Sequence, residues 1–99
     1  MDDLIIPIKG EYFHEIRTGR KLAEYRRITP YWQKRLKDRE YDRLIFTLGY
    51  PKGGGVEGVT RLTMPYRGYE WKQITHPHFG PSAVGVYAIN VAQHERGSL

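Results

Sequence analysis

Apolar residues recur along this chain in short runs separated by polar turns, a pattern of several strands and two short helices. Leu4-Ile5-Ile6-Pro7-Ile8 reads as a strand, and Pro7 places it at a sheet edge or a bulge. Glu11 to Thr18 reads as a helix with Phe13 and Ile16 on one apolar stripe and Tyr12 beside it. Gly19 stands where a helix end favours a left-handed residue. Leu22 to Arg27 follows as a strand. Thr29-Pro30 then has the form of a helix start, with Thr as N-cap and Pro in the first turn. The helix over 31–37 should bury Trp32 and Leu36, and Asp38-Arg39-Glu40 is a charged turn.

In the second half, Leu44-Ile45-Phe46-Thr47-Leu48 is nearly continuous in apolar character, as a central strand requires. Gly49 to Gly55 is a flexible loop. Gly58 to Tyr66 and Gly68 to Thr75 read as strands joined near Arg67-Gly68. His76 to Pro81 is a loop stiffened by two prolines. Ala83 to Val91 is the last strand, with Val84 and Val86 feeding the core and Tyr87 as a further candidate. The polar tail from Gln93 is expected to fray. The order β-α-β-α-β-β-β-β predicts a single α+β domain over residues 1–99: a small mixed β-barrel of about six strands with two flanking helices.

Composition narrows the classes. With 99 residues and 39% hydrophobic content the core is modest, and large aromatic rings (13%, eight of them Tyr) must fill much of it. The chain has no Cys, which excludes disulfides and thiolate metal sites. No apolar run approaches the ~20 residues of a membrane-spanning helix, and Met1-Asp2-Asp3 lacks the basic start of a signal peptide. The expectation is a soluble, cytoplasmic protein with no membrane partner. The net charge of +5 is concentrated: residues 9–43 hold eleven Lys and Arg against six acids, and the remainder holds five of each. A basic block interleaved with Tyr and Trp suits a polyanion, although a solvated basic face would look the same.

The candidate chemistry lies inside that block, in Gly19-Arg20-Lys21-Leu22-Ala23-Glu24-Tyr25-Arg26. On a strand Glu24 and Arg26 project from one face, and Lys21 sits where a flexible ammonium can swing over it. Exposed ion pairs stabilise by only about 0–1 kcal/mol, so a cation–anion–cation group at the mouth of a sheet is better suited to holding a phosphate, a carbonyl or a base edge. Glu24 could take a proton from water while Lys21 or Arg26 steadies an oxyanion; the simpler alternative is that Glu24 only neutralises its two neighbours. Lys21 and Glu24 are therefore the candidate catalytic residues. Arg20, Arg26, Tyr50, Lys52 and His76 are candidate substrate contacts.

Tyr50 opens the Gly-rich loop, where it can stack on a base, and Lys52 with Gly53-Gly54-Gly55 can close over a ligand. Tyr25, Tyr66 and Trp71 are further rings able to stack, with core packing as the simpler role. His76 and His78 titrate in a range useful for phosphodiester cleavage. A turn whose imidazoles cap backbone groups is the preferred reading for that loop. A His-x-His pair without an evident third ligand is a weak metal site, and no metal or other cofactor is expected.

The Gly19–Arg26 segment resembles the G-x-K-x-x-E-x-R signature of the ASCH domain family, which is similar in fold to the PUA barrels of RNA-modifying enzymes. The resemblance extends to the first strand leading into Lys9-Gly10-Glu11-Tyr12-Phe13, to Leu44-Ile45-Phe46 followed by Gly49-Tyr50, and to the closing Tyr87-Ala88-Ile89. It implies recognition of RNA or of a modified nucleoside, and in some members hydrolysis: removal of the acetyl group from N4-acetylcytidine, or ribonuclease activity. The deacetylating subgroup uses a Lys, a Thr and a distal Glu. Lys21 matches the Lys, the Thr position is Glu24, and Glu57 and Glu70 are the candidates for the distal acid. The alternative is a non-catalytic RNA-binding module.

Overall fold

The computed structural model describes residues 2–77 and 80–92. The expectations for His78 and for the tail from Gln93 lie outside the described residues. Six strands and two helices are present among the described residues: β1 (Asp3–Ile8), α1 (Gly10–Arg17), β2 (Ala23–Arg27), α2 (Pro30–Leu36), β3 (Arg43–Leu48), β4 (Arg61–Pro65), β5 (Tyr69–His76) and β6 (Gly80–Asn90), with a 3-10 turn at Lys52–Gly54. They form two three-stranded sheets, ordered β1-β3-β4 and β2-β6-β5. The expected small α+β architecture is therefore present. No ladder closes the two sheets into a barrel among the described residues. Arg67-Gly68 joins strands of different sheets rather than forming a hairpin, and β2 leaves the β1–β3 crossover to pair with β6 instead.

β1 and β3 run parallel, Leu4 opposite Leu44 and Ile6 opposite Phe46, joined by the long crossover that parallel strands need. The inward side of this sheet carries Leu4, Ile6, Ile8, Leu44 and Phe46 into the core. Tyr87, Ile89 and Val91 enter from the other side, with Phe13 and Ile16 of α1 and Leu36 of α2. β6 thus presents the phase of Tyr87 and Ile89 to the core. Val86, on the opposite face, is fully buried as expected, whereas Val84 is only half-buried. Every position from Val84 to Ile89 except Gly85 is apolar or aromatic, so alternation there carries no phase.

Two local signals act as expected. Thr29 Oγ1 accepts from the Trp32 N–H at 3.3 Å and caps α2, with Pro30 in its first turn. Gly19, at φ 78°, ends α1. The Gly19 N–H donates to Ile16 O (3.1 Å) and the Arg20 N–H to Glu15 O (3.0 Å), the paired bonds of a Schellman motif. The Lys21 N–H also reaches Glu15 O at 3.3 Å. The helix end therefore sets where Lys21 begins.

Gly19→Ala should lower stability by about 1–2 kcal/mol, the cost of a left-handed conformation for a residue with a Cβ, because no atom lies near enough for the added methyl to clash. A urea midpoint unchanged from the parent would refute this role for Gly19. At high pH, Tyr66 is the group to watch: burial pushes its phenol up to about 12, with Tyr69 and Tyr41 adding to the rise. The unfolded chain ionises this phenol first, so its contribution is complete below its ordinary value near 10 and is lost as pH climbs towards about 12. Tyr66→Phe should therefore retain more of its neutral-pH stability at about pH 11 than the parent retains. Equal alkaline losses in the two proteins would contradict it.

Candidate functional site

Glu24 pairs with Ile89 and Arg26 with Tyr87 across the antiparallel β2–β6 ladder. Directly opposed residues share a face, and Ile89 and Tyr87 belong to the core. The inward face of β2 should therefore be apolar, and it carries a carboxylate and a guanidinium instead. The first sheet does not pack over this polar stretch. A cleft of about 840 Å³ opens there, within the usual size range for small-molecule sites.

Each wall of the cleft has a structural origin. β1 and β3 end side by side, and the Gly49 N–H donates to Ile8 O at 3.0 Å. This holds Lys9-Gly10 and Leu48-Gly49-Tyr50 at one rim. Glu24, Tyr25, Arg26 and Arg27 come from β2, Thr29, Tyr31 and Trp32 from the start of α2, and Tyr12 from α1 beside Lys21. His76, at the end of β5, lines the same cleft. The sequence did not connect this residue with Lys21, and in the structure both line one cleft.

At the floor Glu24 is 5% exposed. Lys21 Nζ lies 3.0 Å from its Oε1 and Arg26 Nη2 lies 2.8 Å from its Oε2. The two cations also rest on rings, Lys21 Nζ 4.5 Å from the centre of Tyr12 and Arg26 5.3 Å from that of Trp32. Each side chain is held by a charge on one side and an aromatic face on the other. Two polar atoms remain unsatisfied. Glu24 Oε1 is enclosed and accepts no hydrogen bond, because the ammonium lies close to it but off the bonding direction. The enclosed Arg26 Nε–H has no acceptor. Enclosed polar atoms are usually paired, so this acceptor and this donor stand out in the floor of an open cleft.

Lys21, Glu24, Arg26, Tyr50 and His76 are thus brought together, with Tyr50 almost fully exposed at 92%. Arg20 and Lys52 are exposed and do not line the cleft. Lys52 sits in the 3-10 turn, whose loop is folded back on Thr60: Thr60 Oγ1 accepts from the Val56 N–H at 2.8 Å. Neither expected distal acid reaches the cleft. Glu57 accepts from Thr63 N–H and Oγ1–H at 2.8 and 2.6 Å, and Glu70 pairs with Lys72 at 3.8 Å. Among the other aromatic candidates Tyr25 lines the cleft, Tyr66 packs edge-on against Tyr41, and Trp71 is largely exposed on β5. Sequence reasoning missed Lys9, Tyr12 and Tyr31, and placed Trp32 wholly in the core. The available signal was two adjacent rings, Tyr31-Trp32, directly after a capped helix start in the basic block.

Glu24→Gln removes the one charge that opposes Lys21 and Arg26 among the described residues. Breaking a fully buried pair costs roughly 3–5 kcal/mol. With side chains 17% and 24% exposed, the two cations keep some hydration, so the expected loss is about 2 kcal/mol. Urea unfolding measures it, and a change within about 0.5 kcal/mol would mean that Glu24 carries no structural weight.

Among the described residues no helix is long and apolar enough to cross a membrane. In comparisons with protein-family models, with curated proteins and with solved structures, nothing matches this chain.

Proposed function

We propose that the cleft recognises a base of RNA or of a modified, cytidine-type nucleoside, in the manner that the resemblance to the ASCH and PUA-like domains implies. The observation that carries this reading is the unsatisfied pair in its floor, the Glu24 Oε1 acceptor and the Arg26 Nε–H donor, beneath aromatic walls. A base edge presents donors and acceptors side by side. An acidic side chain accepts from the exocyclic N4–H of cytosine, which matches Glu24. Lys21 is the movable member, a flexible stem resting on Tyr12, and it can turn its ammonium from Glu24 towards a carbonyl of the ligand. Trp32, Tyr31 and Tyr50 offer faces for stacking, worth roughly 1–3 kcal/mol per base.

Hydrolysis is the second reading, favoured by an enclosed carboxylate oxygen, Glu24 Oε1, 3.0 Å from the Lys21 ammonium. On an N4-acylated cytidine, water would add to the acyl carbon as Glu24 takes its proton. The carbonyl electron pair would move onto oxygen and be held by Lys21. Collapse would re-form the carbonyl and break the C–N4 bond, with the Glu24 proton passing to N4, leaving cytidine and acetic acid. Ribonuclease chemistry would instead use His76 with Lys21 and Arg26 on the phosphate.

Calorimetric titration with cytidine and with N4-acetylcytidine, followed by mass spectrometry of the products, tests both. The parent should bind at least one of the two. Lys21→Ala should weaken that binding at least tenfold, about 1.4 kcal/mol, with an unchanged circular dichroism spectrum. Absence of binding by the parent would overturn the reading. Binding without product would leave recognition in place and remove the hydrolytic step.

A further inference from the structure

The excess charge of this chain is more localised than the basic block suggests. Residues 26–39 carry six cations (Arg26, Arg27, Lys34, Arg35, Lys37 and Arg39) and one acid, Asp38, a net of +5 that equals the net charge of the whole protein. This stretch is the end of β2, α2 and the turn after it. Within this stretch Arg26 pairs with Glu24; outside it Lys21 pairs with Glu24, Arg43 with Asp3, Arg61 with Glu57 and Lys72 with Glu70, while Lys9, Arg17, Arg20 and Lys52 are exposed cations scattered over other elements. Among the described residues no carboxylate lies within ion-pair distance of Lys34, Arg35, Lys37 or Arg39.

The geometry of α2 ties these charges to the cleft. Trp32 and Leu36, four apart, turn towards the protein, which leaves Tyr31 and Lys34 on the outer side. Tyr31 is 61% exposed and lines the cleft rim. The Arg35 guanidinium lies 5.2 Å from the Tyr31 ring centre and 5.8 Å from that of Trp32. Trp32 therefore has Arg26 of the cleft floor and Arg35 of the helix both against it. An exposed ring followed by unneutralised cations one and two turns on is the arrangement that single-stranded nucleic acid requires: a stacking platform and a track for phosphates.

We propose that the outer face of α2 and its following turn, Tyr31, Lys34, Lys37 and Arg39, carries the backbone of a single-stranded polynucleotide as it leaves the cleft. The ligand is then an oligonucleotide rather than a free nucleoside. This rests on the base-binding reading of the cleft and adds a second surface to it. An acidic polypeptide would meet the same charges but would not use the exposed ring.

The test compares the parent with Lys34→Gln/Lys37→Gln, both exposed positions outside the cleft lining. Probes are fluorescein-labelled octacytidylate RNA, free cytidine and polyglutamate, each across a salt series. The parent should bind the octamer at least tenfold more tightly than cytidine. The double variant should lose at least tenfold in octamer affinity, reduce the log–log salt slope by about 1.4 for two lost phosphate contacts, and bind cytidine as before. Octamer binding and salt slope that ignore the double variant would overturn the proposal, as would an octamer held no more tightly than cytidine. In both of those cases retained cytidine binding leaves the cleft reading standing. Polyglutamate held as tightly as the octamer would overturn it in favour of an acidic protein partner. Octamer binding that depends on Lys34 and Lys37, in a protein that ignores cytidine, would keep this surface and overturn the cleft reading instead.

Discussion

A carboxylate on the inward face of a sheet must be given countercharge, and Glu24 is given two. The Lys21 ammonium and the Arg26 guanidinium take one oxygen each. Enclosing an ionised acid without such partners costs several kcal/mol, more than a modest core can offset. Meeting this requirement places three charged groups where β2 would otherwise add to the core. The first sheet has no apolar surface to pack on there, so the cleft follows from the same residues that line it.

That constraint reaches back into local structure. Lys21 can meet Glu24 because Gly19 turns the chain sharply out of α1. It can rest on Tyr12 because α1 lies along the same wall. Arg26 can meet Glu24 because the two are one strand period apart and the ladder with β6 fixes which way they face. Trp32 follows from the Thr29–Pro30 cap, which starts α2 where its second residue after the proline closes over Arg26. Of the other α2 cations, Arg35 rests on the Tyr31 and Trp32 rings and Lys34 is exposed.

Where a residue type has one local solution, the sequence reads directly. Gly19 after an amphipathic run, Thr29-Pro30 before one, and the apolar run 44–48 each point to one structure, and each is found. The shared face of Glu24 and Arg26 is equally legible, since strand period alone decides it. The phase of β6 is not legible, because apolar residues occupy both of its faces. The separation of β4 and β5 into two sheets, and the absence of a ladder closing those sheets among the described residues, depend on which edges find partners, and no single segment encodes that. The same holds at the site: Lys21, Glu24 and Arg26 are near in sequence, whereas Lys9, Tyr12, Trp32 and His76 join them only through the fold. Lys52 and Arg20 stand beside site residues in the sequence yet lie outside the cleft.

The most direct measurement is chemical-shift mapping of the isotope-labelled protein by two-dimensional NMR during titration with cytidine. The account predicts saturable shifts confined to the amides of Lys21 to Arg27, Gly10, Gly49 and the Trp32 indole, which together outline the cleft. Shifts centred instead on residues 57–67, which lie outside the cleft lining, or no saturable shifts at all, would contradict it.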